Sequence, residues 1–181
     1  MNFRIADTFT DSLSKLTNEE QKAVKTTAFD LQLNPANPGM QLHKLSKAKD
    51  KNFWSIRVSS DLRLIVHKTE NSLLLCYVGH HDNAYAWAQS RKLATHPQTG
   101  AAQLVEIRET VKQVIIPQYV EKQKQAVPAK KPLFADYADA DLLKYGVPPE
   151  WLNDVRKADD DSILELADHL PGEAAEALLC L

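Results

Sequence analysis

From residue 53 the chain alternates in a way that suits strands. Trp54, Ile56 and Val58 interleave with Phe53, Ser55 and Arg57, and Leu62, Leu64 and Val66 interleave with Arg63, Ile65 and His67. A period of two puts each set on its own face of a sheet, so the pattern predicts two strands joined through Ser59-Ser60-Asp61. The next run, Ser72 to Val78, is nearly all apolar and predicts a central strand covered on both faces, reached through Thr69-Glu70-Asn71. Ahead of these, Asn2 to Ala6 reads as a short first strand. Phe9, Leu13 and Leu16, then Val24, Ala28 and Leu31, recur at helical intervals and predict two helices. Thr8 with Asp11, and Thr17 with Glu20, have the spacing of capping boxes at the two starts. Asn34-Pro35 and Asn37-Pro38-Gly39 end the second helix. Asp82 is placed to cap a last helix carrying Ala84, Trp87 and Ala88. Residues 1–93 thus predict an α+β domain in the order β-α-α-β-β-β-α, a helical hairpin on a small antiparallel sheet.

Beyond residue 93 the pattern changes. Residues 94–133 read as connector and linker: Thr95 to Gly100 is turn-rich, Leu104 to Ile116 fits a strand or a helix, and 117–133 is rich in Pro, Gln and Lys. Residues 134–181 predict a small all-α segment. Leu142 and Leu143 precede a C-capping Gly146, and Pro148-Pro149 opens a helix with Trp151, Leu152 and Val155. Ile163, Leu164, Ala167 and Leu170 form a third stripe, and Pro171 opens a fourth with Ala174, Ala177, Leu178 and Leu181. That last stripe runs to the final residue, which fits docking on another element or a chain cut from a longer protein.

Charge follows the same division. Residues 136–181 hold twelve acidic and three basic residues, a net −9, which leaves +7 on the rest of a chain whose formal charge is −2. A basic body with an acidic tail suits nucleic acid as a partner of the body, although a solvated surface also accounts for +7. A length of 181 residues with 44% hydrophobic content supports one good core and a small satellite. No apolar run approaches a membrane span and the N-terminus lacks a signal-peptide h-region, so no membrane partner is expected, and the reduced thiols expected at Cys76 and Cys180 suit a cytoplasmic location. Cys76 and Cys180 lie in apolar settings and read as buried reduced thiols. No Cys or His cluster has metal-ligand spacing, so no metal and no cofactor is implied.

The candidate chemistry lies on the predicted sheet. Arg57 and Arg63 can hold a phosphate bidentately, and His80 or His81 can move a proton near neutral pH. Tyr85 follows closely, and Lys44, Lys47, Lys49 and Lys51 occupy a loop ahead of the strands from which they could track a backbone. His43 and His67 are further imidazoles in the same region. Each also has a plain structural reading: surface arginines, a histidine turned away, aromatics anchoring a core, solvated lysines.

Taken in order, the loop Leu42-His43-Lys44-Leu45, the strands Trp54-Ser55-Ile56-Arg57-Val58 and Leu62-Arg63-Leu64-Ile65, and Val78-Gly79-His80-His81 leading to Tyr85 resemble the RelE/ParE toxin superfamily over about half the chain. RelE-type members are mRNA endonucleases; ParE-type members poison DNA gyrase and need no catalytic set. By that resemblance Arg57 falls where RelE-type enzymes place a lysine and Arg63 on a phosphate-contacting arginine. His81 falls near a second arginine or a histidine, and Tyr85 near a tyrosine. Ser55 stands where RelE itself has a second basic residue, and the interval from Gly79 to Tyr85 is shorter than in RelE. The resemblance implies a metal-independent endoribonuclease or a non-catalytic interaction module, with RNA or DNA, an antitoxin or the ribosome as partners. Phe134-Ala135-Asp136, Asp141-Leu142-Leu143, Gly146-Val147-Pro148 and Leu170-Pro171 to Leu179 resemble a connector in UvrD-type helicases that lies between a RelE-like N-terminal module and the motor. This implies a C-terminal helicase motor in the native protein; the chain itself carries no Walker A sequence.

Overall fold

The computed structural model describes residues 1–107 and 131–181. The chain forms two compact units, Met1–Arg91 and Lys92–Leu181.

In the first unit, β1 (Asn2–Ile5) leads into α1 (Asp7–Ser14) and α2 (Asn18–Leu33), followed by β2 (Leu42–Lys44), β3 (Phe53–Arg57), β4 (Leu62–Lys68), β5 (Ser72–His80) and α3 (His81–Gln89). The five strands form one sheet in the order β1-β5-β4-β3-β2, giving the α+β class expected. Its β2-β3-β4-β5 part is antiparallel, but β1 lies parallel to β5, because the α1–α2 hairpin carries the chain across before the sheet is completed. Leu42 to Lys44, expected in a loop, is the edge strand β2.

The helices cover opposite faces of this sheet. Ile56, Leu64, Val66, Leu73, Leu75 and Val78 pack with Phe9, Val24 and Leu31 of α1 and α2. α3 covers the other face. Its Trp87 stacks on Tyr77 of β5 with centroids 4.9 Å apart and meets Phe53 of β3 edge-on at 6.0 Å. A bulge between Ile65 and Val66 on β4 leaves Cys76 as the extra residue on β5.

The two expected capping boxes turn out differently. At α2, the Thr17 side chain accepts from the Glu20 amide and the Glu20 carboxylate accepts from the Thr17 amide. At α1 the box is absent: Ala6 is the N-cap, and the Thr8 hydroxyl donates to the Cys76 carbonyl at 2.6 Å. Ser12 likewise accepts from the Val78 amide at 3.0 Å. Two hydroxyls of α1 thus take over the pairing of β5 where β1 ends. Asp82 does not cap α3 either; it lies in the first turn, and the N-cap is His80, whose side chain makes no capping bond.

The second unit opens with a two-stranded sheet, β6 (Arg91–Thr95) and β7 (Ala102–Glu106). Residues 94–107, expected within a connector, therefore contribute structure, and Ala94 and Val105 belong to the core of this unit. The buried His96 organises the turn, its Nδ1 accepting from the amides of Gln98 and Thr99, each at 3.1 Å. The rest of the Leu104–Ile116 stretch and the linker residues 117–130 lie outside the described residues. Among the described residues four short α-helices follow, α4 (Asp139–Lys144), α5 (Leu152–Lys157), α6 (Ile163–Ala167) and α7 (Gly172–Leu179), with a 3-10 turn at Pro149–Trp151 leading into α5. Gly146 follows α4 at φ +86°, the left-handed conformation that a C-terminal cap requires. Phe134, Leu142, Val147, Trp151, Val155, Ala174 and Leu178 close the core. Leu164, expected in a buried stripe, is exposed, as is Cys180. No helix among the described residues is long and apolar enough to cross a membrane.

Candidate functional site

The β3–β4 hairpin turns through Ser59, Ser60 and Asp61, and its register makes Arg57 and Arg63 direct partners on neighbouring strands. Facing residues of an antiparallel pair share a sheet face, so both guanidinium groups leave the face that carries α3. Each is held by the turn. Arg57 Nε donates to the Ser59 carbonyl at 3.2 Å, and Arg63 donates to the carbonyls of Ser59 and Leu62, each at 3.0 Å. Among the described residues no carboxylate lies within 4 Å of either guanidinium.

Two rows along the same face, Ser55 and Tyr85 meet through their hydroxyls at 3.3 Å. Ser55 is buried in β3, so the bond ties the floor of the sheet to α3. The His81 ring stands edge-on against Tyr85, centroids 4.3 Å apart. On the helix, His81, Tyr85 and Gln89 are spaced four apart and share a face. That face and the segment Lys44 to Ala48 line a cleft of about 320 Å³. Gln89 is a lining residue that the sequence reading did not single out, although the spacing of four from His81 and Tyr85 could have marked it.

The adjacent histidines differ sharply. His81 Nδ1 lies 2.9 Å from an Asp82 carboxylate oxygen. A carboxylate only accepts, so Nδ1 carries the hydrogen and the neutral ring presents Nε2 as a proton acceptor. Nε2 of His81 has no partner among the described residues. His80 ends β5 opposite Leu62, on the face that carries α1 and α2. Its Nδ1 lies 2.5 Å from Asp61 and its Nε2 3.8 Å from Glu20, so both nitrogens face carboxylates. Bonding to His80 holds the Asp61 carboxyl below its ordinary value. The Glu20 carboxyl is lowered chiefly by the Thr17 amide and hydroxyl, with His80 a smaller influence. The structure thus groups Arg57, Arg63, His81 and Tyr85 on one face and places His80 on the other.

The four loop lysines also separate. Lys47 lines the cleft, and Lys44 both borders it and lies 5.8 Å from the Trp54 ring. Lys51 donates to the carbonyls of Ser46 and Ala48, each at 2.9 Å, and so ties the cleft wall together. Lys49 is exposed on the same segment. His67 is buried, 3.2 Å from Asp50 and edge-on to Phe53, which anchors the segment to β4; His43 is exposed on β2. No group of three or more His, Cys, Asp or Glu side chains among the described residues is placed to hold a metal ion.

No protein-family model and no curated protein matches the sequence. Solved structures of RelE-type toxins do. The RelBE2 toxin–antitoxin complex of Mycobacterium tuberculosis matches at 23% identity over 44% of this chain and 96% of that one, TM-score 0.37. The RelB–RelE complex of Methanococcus jannaschii matches at 18% over 48% and 98%, TM-score 0.39. YafQ of E. coli matches at 17% over 46% and 96%, TM-score 0.39. The likeness is one of fold, over less than half of this chain and nearly all of each toxin.

Proposed function

We propose that the N-terminal unit is a RelE-like nucleic-acid-binding module that holds phosphates at Arg57 and Arg63 and seats the neighbouring nucleotide in the cleft of Lys47, His81 and Tyr85. The observation that carries this reading is the side-by-side pair of guanidinium groups with no carboxylate partner among the described residues. Two cations aimed from one end of a hairpin suit the oxygens of a phosphodiester. The test is fluorescence anisotropy of a labelled single-stranded RNA titrated with the full chain at several salt concentrations. Loss of one phosphate contact in Arg63→Gln should lower the salt slope by about 0.7. Equal slopes for the two proteins would remove Arg63 from the interface.

The unpartnered Nε2 of His81 favours a second reading, in which the unit also cleaves RNA. His81 would take the proton of a 2′-hydroxyl, whose oxygen attacks phosphorus to form a 2′,3′-cyclic phosphate; the guanidinium groups stabilise the charge that develops there, and the P–O5′ bond breaks as the 5′-oxygen takes a proton from water. Ser55 is buried and neutral where a further cation would help. Cleavage of mRNA, with and without ribosomes, by wild type and His81→Ala decides this: equal rates would exclude His81 from the chemistry. The sequence resemblance of residues 134–181 to a helicase connector supports reading that segment as a link to a motor domain. Sequencing the native open reading frame past the codon for Leu181 tests it.

A further inference from the structure

On the face that carries α1 and α2, the half-buried Trp54 has two lysines over its ring. Lys44 Nζ lies 5.8 Å and Lys68 Nζ 5.6 Å from the ring centroid. The register explains the convergence: Lys44 on β2 and Val66 on β4 are the direct partners of Trp54, and Lys68 lies two residues beyond Val66 on the same face. An indole attracts one ammonium group readily, but a second brings like charges together. Among the described residues no carboxylate lies within 4 Å of either lysine. Two cations gathered on one aromatic surface call for an anion. Lys44 also borders the cleft on the α3 side, so β2, the edge of the sheet, is common to both features.

We infer that Lys44, Trp54 and Lys68 form a second phosphate-binding position for the strand bound in the cleft, reached by crossing the sheet edge at β2. This rests on the nucleic-acid reading of the cleft and extends it to the substrate class. A strand that turns over a sheet edge must be single-stranded, because a duplex resists bending over tens of nanometres. The indole serves as a wall for the ribose or base between the two phosphates.

The experiment uses the full chain and a labelled 12-nucleotide oligouridylate, followed by anisotropy against salt. Lys68→Gln should weaken binding about fivefold near 0.1 M salt and lower the salt slope by about 0.7, the effect of one lost contact to a single strand. Lys68→Arg should restore both. Binding should quench tryptophan emission in wild type and less so in Trp54→Phe, and a duplex should compete more weakly than the single strand. If Lys68→Gln keeps wild-type affinity and slope while Lys47→Gln loses both, the second position is wrong and the cleft reading stands. If the duplex competes as well as the single strand, the path over the edge is wrong. If the wild type shows no salt-sensitive binding, the cleft reading falls and this position with it.

Discussion

Ser55 and Tyr85, 30 residues apart in the chain, share a hydroxyl–hydroxyl bond of 3.3 Å that joins the sheet to the helix covering it. Ser55 is 1% exposed, so removal of the phenol oxygen strands its hydroxyl in the interior. Tyr85→Phe and Ser55→Ala are each expected to cost about 1 kcal/mol, and the double variant less than their sum. Urea unfolding of the four proteins measures the coupling. Strictly additive losses would mean that the two groups stand apart in solution.

Acid should loosen the junction between the β3–β4 turn and the start of α2. The Asp61 carboxyl is held below its ordinary value mainly by His80, and that of Glu20 below its ordinary value mainly by the Thr17 amide. A depressed carboxylate stabilises the fold fully above its unfolded value and loses that contribution as pH falls through the folded one. The contribution should be constant above about pH 5 and decline below about pH 4.5. Thermal melts between these limits and lower pH should show a shallower acid limb in Asp61→Asn. An identical limb would show that Asp61 titrates normally.

Two glycines of the second unit separate backbone strain from crowding. Gly100 has φ +70° with open space where a Cβ would lie; Gly146 has φ +86° and its Cβ would stand 3.1 Å from His96 Nε2. Gly100→Ala should cost about 1 kcal/mol from conformation alone, and Gly146→Ala clearly more. Denaturant unfolding followed by Trp151 emission, in a background with Trp54 and Trp87 replaced by Phe, reads both. Equal losses would mean that His96 yields freely.

The thiols should differ in reactivity. Burial pushes the Cys76 thiol up to about 12, whereas Cys180 is exposed. A colorimetric disulfide reagent should label one thiol per native chain promptly and the second only on unfolding. Prompt labelling of both would require β5 to open readily.

What the sequence reveals depends on how near each partner lies. Thr17 and Glu20 answer one another within a single turn, so their capping box is legible. Thr8 has the same spacing to Asp11, but its hydroxyl is drawn to a carbonyl 68 residues away, which no local pattern announces. Arg57 and Arg63 are equidistant from Ser60, so any hairpin through that turn must pair them. His80 and His81 are indistinguishable as a dipeptide. The change from strand to helix between them sends one toward two carboxylates and leaves the other with a nitrogen that has no partner among the described residues. The β6–β7 sheet was hidden because its strands are short and only partly buried, and because His96-Pro97 reads as a plain turn. Cys180 misled for the opposite reason: apolar neighbours in sequence need not be neighbours in a core.

The bonds that Arg57 and Arg63 make to the hairpin carbonyls have one more consequence. A carboxylate partner would orient a guanidinium and cancel its charge in the same act. A carbonyl does only the first. The side-chain freedom that a long cation normally surrenders on binding is already reduced, while neither charge is cancelled by an ion pair among the described residues; Arg63 feels the Asp61 carboxylate only as a minor influence. An arriving anion displaces the carbonyl of the exposed Ser59, which water can serve at once, and that of the buried Leu62, which keeps its bond from the Val58 amide at 3.0 Å. The hairpin tip therefore works as a loaded pair of tongs, set in direction and still unspent in charge.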